Sequence, residues 1–169
     1  LSFEFPNGYD ETYELIIDPV LIAATLSGST VTNYGHSATY DSEGNIYTGA
    51  RNFGVGYPTT TGAFQLNYGG GGTDIAVSKL NPDGSALIWA SYVGGDNSEY
   101  PHSMFVQDGE LYVLGSSDSY NYPTTENAYD NTNNSTDIVV THFSTDGANL
   151  IGSTFIGGSS VDGTNLIYT

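Results

Sequence analysis

The stretch Thr73–Gly95, TDIAVSKLNPDGSALIWASYVGG, decides the fold: it reads as two buried strands joined by a tight turn, and it returns as Thr136–Gly158, TDIVVTHFSTDGANLIGSTFIGG. The offset is a constant 63 residues, with no gap across the unit. Repetition at this length points to stacked β-units. Runs such as IAVSKL and IVVTHF lack clean alternation of apolar and polar residues, which predicts sheets covered on both faces. Asn81-Pro82-Asp83-Gly84 and Ser144-Thr145-Asp146-Gly147 read as the turns between the paired strands.

Working outward, Leu21–Gly28 (LIAATLSG) lines up with Leu87–Gly94 and Leu150–Gly157, so the outer strand is expected three times. After the first two comes a polar loop and a His-Ser pair, His36-Ser37 and His102-Ser103. A hairpin follows each pair, Ser37–Asp41 with Ile46–Ala50 and Ser103–Gln107 with Glu110–Gly115, turning at Ser42–Asn45 and at Asp108-Gly109, where glycine supplies positive φ. The first copy reads as one residue short at Tyr47-Thr48-Gly49, beside Tyr112-Val113-Leu114-Gly115. Each hairpin leads into a Tyr-Pro-Thr-Thr loop, at Tyr57 and Tyr122, whose following aromatic, Phe64 or Tyr129, is expected to pin the loop to the body. Gly69–Gly72 is expected to be a flexible loop and no phosphate cradle, because no helix follows it. The resulting unit has four strands, Ser37–Asp41, Ile46–Ala50, Asp74–Leu80 and Ala86–Val93.

Composition agrees with an all-β class. The chain has 169 residues, 38% hydrophobic, which is enough for a core, and its 22 Gly and 14 Tyr against 12% charged residues describe short strands punctuated by turns. Net charge is −17, and Arg51 and Lys79 are the only permanent cations, which excludes nucleic acid and disfavours anionic membrane surfaces as partners. No run of about 18 apolar residues predicts membrane insertion, and the absence of cysteine removes disulfides, thiolate metal sites and a Cys nucleophile. The start at Leu1, without Met, reads as a processed chain or a piece of a longer one.

Together DSEGNIYTG, the YPTT loop with GAF, TDIAVSKLNPDGSALIWASYVGG and their second copies resemble the bacterial β-propeller repeat often called the SBBP repeat, over about residues 21–169. The second copy departs from it in having STDG for NPDG and Gly152 for Trp89. The resemblance implies a propeller in a large secreted or cell-surface protein of Gram-negative bacteria, with no catalytic residues to carry over. The expected organisation is the end of a preceding β-rich region over 1–20 and a propeller segment over 21–169, with blade units at about 36–95 and 102–158. Closed propellers take about four to eight blades, so two complete units and partial flanking ones require further blades of the same chain, or partner proteins, to close the ring.

Few residues invite chemistry. His36 and His102 sit at equivalent places near the innermost strand and are metal candidates. Asp41, Glu43, Asp83, Asp108 and Asp146 lie in turns where a hard cation such as calcium would find oxygens, although DSEGN lacks the later bidentate Glu and Asp in such turns commonly caps the backbone. Asp74 and Asp137 read as local hydrogen-bond acceptors. Ser37 and His36 make no catalytic pair by adjacency, since strand neighbours point to opposite faces. No cofactor is implied. The leading expectation is a non-catalytic scaffold, adhesion or binding module, with surface glycans among its candidate partners. The alternatives are part of a carbohydrate-active enzyme whose active site lies in blades outside this chain, and a cargo or accessory chain of a bacterial export or surface assembly.

Overall fold

Two apolar runs joined by a turn of a few residues can pair only antiparallel, and the chain uses that pairing throughout. The computed structural model describes residue 12 and residues 24–162, which form eight strands and no helix. Strands β1 (Asn33–Tyr40), β2 (Ile46–Asn52), β3 (Asp74–Leu80) and β4 (Leu87–Val93) make one antiparallel sheet in that order. Strands β5 (Glu99–Gln107), β6 (Glu110–Ser117), β7 (Asp137–Phe143) and β8 (Leu150–Ile156) make the second. The all-β class holds as two four-stranded antiparallel sheets, and the described residues do not close a ring. No described helix is long and apolar enough to cross a membrane.

The sheets pack face to face on one core. Across the first sheet Tyr47, Lys79 and Trp89 are register partners, as are Arg51, Ile75 and Val93, so these side chains share the face turned to the second sheet. That sheet answers with Leu111, Val113, Val139, Phe143 and Phe155. Trp89 stacks on Phe143 at 6.1 Å between centroids, and its indole N–H donates to the Thr145 carbonyl at 3.1 Å. By the repeat, Val139 and Phe155 occupy the places of Ala76 and Tyr92, which lie on the opposite face of the first sheet. The contact is therefore head to tail, each sheet presenting a different face.

Several expectations need correction. Residues 24–28 form no strand, so the first of the three outer strands is absent where it is described; an outer strand is held by its inner neighbour, and no strand precedes it among the described residues. Leu21–Ala23, the preceding region 1–20 apart from Thr12, and the chain after 162 lie outside the described residues. No residue is missing from β2: Gly49 pairs with Val77 as Leu114 pairs with Val140, and the length differences fall in the turns. Gly49 stands in for a leucine because a Cβ there would come within 2.6 Å of the Met104 sulfur.

The loop aromatic binds the neighbouring sheet and not its own. Phe64 packs edge-on against Phe143, while Tyr129, with no sheet beyond it among the described residues, is 89% exposed. The residue that anchors each loop to its own sheet is the tyrosine before proline, with Tyr57 bonded to the Ser78 hydroxyl and Tyr122 to Thr141 at 2.7 Å. Gly69–Gly72 is packed and not free, since a Cβ on Gly71 would meet the Asn97 backbone at 2.2 Å. Asp108-Gly109 is the expected two-residue turn, with φ of 53° and 79°.

Candidate functional site

The two histidines owe their repetition to backbone geometry. In both hairpins the pairing slips by one residue, between Gly35 and Ser37 and between Pro101 and Ser103, so His36 and His102 are the extra residues of equivalent β-bulges. Bulges re-aim a side chain and interrupt the alternation of faces. His36 is exposed, and its imidazole pKa is lowered by partial burial and by the charges of Arg51 and His102 nearby. His102 Nε2 lies 3.1 Å from the Ser116 hydroxyl. The structure thus brings the two imidazoles into one neighbourhood, but the third basic group there is a guanidinium, which opposes a bound cation.

The acidic candidates go elsewhere. Asp41 is buried at the β1–β2 turn and accepts from the Glu43 and Asn45 amides at 3.0 and 2.9 Å, from Asn45 Nδ2 at 2.9 Å and from the Tyr47 hydroxyl at 3.2 Å. Lys79 Nζ is 3.3 Å away. Burial alone would raise the Asp41 pKa, but the Asn45 hydrogen bonds and the Lys79 charge hold it below the usual carboxylate value. Glu43 and Asp108 line the same cleft between the sheets. Asp83 and Asp146 are exposed turn caps, their pKa values lowered mainly by the hydroxyls of Ser85 and Ser144, which donate at 2.6 Å each. Among the described residues no three His, Asp or Glu side chains are placed to hold one metal ion.

Asp41 therefore serves the junction between sheets, where Tyr47 also donates to the Gly109 carbonyl at 3.1 Å. Asp41→Asn is expected to lose about 2 kcal/mol, the scale of hydrogen bonds to a charged group, measured by urea unfolding at pH 7. A folded-state pKa below the unfolded one means the Asp41 contribution is present above about pH 4 and is lost as pH falls through the lowered value.

The most unusual chemistry lies at a residue the sequence reading passed over. Glu99 opens β5 and is wholly buried between the sheets, accepting from the Ser117 and Ser119 hydroxyls at 2.7 and 2.5 Å and from the Gly95 amide at 3.1 Å. Asp74, equally buried, accepts from the Gly69 amide through Oδ2 at 2.7 Å, as the expected local acceptor does, but its Oδ1 has no partner. Both carboxyls face Gly94, where a Cβ would stand 2.5 Å from Glu99 Oε2 and 2.8 Å from Asp74 Oδ1. Burial and the Glu99 charge push the Asp74 pKa up to about 7 against the Gly69 hydrogen bond, and burial raises that of Glu99. A buried carboxyl beside another negative charge favours its neutral, protonated form. Asn52, the register partner of Asp74, adds a second unmatched atom, Nδ2.

The arrangement repeats: Gly157 crowds Asp137, whose Oδ1 is also unpartnered, and Asp162 bonds the Gly158 amide as Glu99 bonds Gly95. That equivalence, an acid four residues after each Gly-Gly pair, was the available signal. No protein-family model matches the chain, and comparison with curated proteins finds no significant match.

Proposed function

We propose that the chain is a segment of a β-propeller, of the kind built by SBBP-type repeats, serving as a non-catalytic scaffold, adhesion or binding module in a secreted or cell-surface bacterial protein. The observation that carries this reading is the head-to-tail contact. Because the two sheets meet through unlike faces, each keeps the complementary face available for another sheet, and such contacts propagate into a ring where the rotation between sheets closes.

The outer face of the second sheet has the character of a surface awaiting one. Phe105, Tyr112 and His142 stack across β5, β6 and β7 at centroid spacings of 4.5 and 3.9 Å, in the places that Thr39, Tyr47 and Lys79 hold in the buried junction. Leu114 and Ile156 are exposed there as well. Seen this way, the buried carboxyl pair is a fixture of the junction, closed to substrate by its own packing.

The test has two readouts. Images of the native polypeptide are expected to show a ring of about four to eight sheets. The chain is expected to be retained by one or more immobilised surface polysaccharides without releasing reducing ends, and sugar release by this chain would overturn the non-catalytic reading.

A further inference from the structure

All five basic side chains of the protein are described, and they divide in a telling way. Lys79 is paired with Asp41 at 3.3 Å, and His142 Nε2 lies 2.8 Å from Glu110. Arg51, His36 and His102 gather where β1 and β5 run side by side, His102 with its own partner in the Ser116 hydroxyl at 3.1 Å. Among the described residues Arg51 lies against no carboxylate. Its Nε donates to the Thr73 hydroxyl at 3.0 Å, and the guanidinium carbon sits 4.1 Å from the Tyr100 ring centre and 5.0 Å from that of Phe53. Among the described residues its two terminal nitrogens make no hydrogen bond, and the residue is half-buried. His36 beside it is exposed, and among the described residues its imidazole makes no hydrogen bond. Tyr34, 58% exposed, stands edge-on to Phe53 at 5.0 Å.

In a chain of net charge −17, a guanidinium set against two aromatic rings with its fork left open is organised for one anionic group. We propose that this patch binds a carboxylate-bearing sugar unit of a polysaccharide, a uronate. The Arg51 fork takes the carboxylate in a bidentate pair, His36 hydrogen-bonds a ring or carboxylate oxygen, and Tyr34 lies along the apolar face of the sugar. A single cation suits a single carboxylate, and the surrounding negative field disfavours polyphosphates and nucleic acids. This inference deepens the binding-module reading and rests on it.

The experiment is a calorimetric and NMR titration of the chain with oligogalacturonate, with a neutral galacto-oligosaccharide of the same length and with a glutamate-rich peptide. Oligogalacturonate is expected to bind about tenfold or more tightly than the neutral oligomer and to shift the Arg51 Nε signal. Arg51→Gln is expected to remove that preference. Because Arg51 also helps to join the sheets, the exposed His36→Gln and Tyr34→Ala serve as folded variants and are expected to weaken binding several-fold, whereas Tyr129→Ala, far from the patch, leaves it unchanged. Equal affinity for both oligomers, no binding by the folded wild type, or preference for the peptide overturns the inference. Retention of some other polysaccharide, unaltered in Arg51→Gln, overturns it while leaving the binding-module reading intact, and loss of all retention sinks both.

Discussion

Trp89→Ala is expected to lose about 3–5 kcal/mol of stability, the range for emptying a large aromatic site in a core. Trp89 is 4% exposed, stacked on Phe143 of the second sheet and edge-on to Tyr47 of its own at 6.2 Å. Truncation would leave a cavity between the sheets and strip the Thr145 carbonyl of its donor. The cavity has little means of collapse, because its walls are strands locked in register. Gly147 meets the same ring from the other side, where a Cβ would come within 2.5 Å at a φ of 67°. Gly147→Ala is accordingly expected to be destabilising, and its cost should combine non-additively with that of Trp89→Phe, since the two residues share one contact. Urea unfolding followed by circular dichroism measures all of these. A loss below about 1 kcal/mol for Trp89→Ala would mean that some other contact holds the sheets together.

Acid is expected to stabilise this protein over a range where most proteins are indifferent to it. The folded-state pKa of Asp74, about 7, lies above the ordinary carboxyl value near 3.8, so the folded state holds the extra proton between the two. Stability from this group is fully present below about pH 4 and is lost as pH rises through about 7, on the order of 4 kcal/mol in total. Glu99 shifts in the same direction, while Asp41 works the opposite way below pH 4, which puts the expected maximum in mild acid. Asp74→Asn removes the buried charge, keeps the shape of the neutral carboxyl and still offers an oxygen to Gly69. It is expected to raise stability at pH 8 by about 2 kcal/mol and to flatten the profile between pH 4 and 8. Relief of the general −17 repulsion also favours acid, and salt screens it. The comparison of Asp74→Asn with wild type in high salt therefore isolates the pair. A wild-type profile that rises from pH 5 to 8 would rule out the raised Asp74 pKa.

How much of this could be read in the chain depends on the range of the interaction. Turn and cap assignments held where the partners are a few residues apart: Asp83 and Asp146 cap their own turns, and Asp108-Gly109 makes the tight hairpin. Strands β3 and β4 lie within a residue of their expected limits because the repeat marks both ends. Prediction failed where one residue's environment is set by a distant one. Gly49 read as part of a shortened strand, although it is a full strand position cleared for Met104, and Tyr129 read as a pin for its loop, as Phe64 is, although it is exposed with no sheet beyond it among the described residues.

The sequence by itself determined that two β-units of the same design follow one another, where the paired strands of the Thr73–Gly95 repeat and its turn fall, and that almost no cation is available to the molecule. Those properties are local or additive, and an internal repeat displays them twice. Only the tertiary structure decided which face of each sheet meets the other, that His36 and His102 stand at bulges beside the unpaired Arg51, and that Asp74 and Glu99 share one buried corner at Gly94. The physical reason is that periodicity records what recurs along a strand, whereas packing and electrostatics are fixed by approach through space. A glycine that admits a neighbour and a glycine that turns the chain are the same letter.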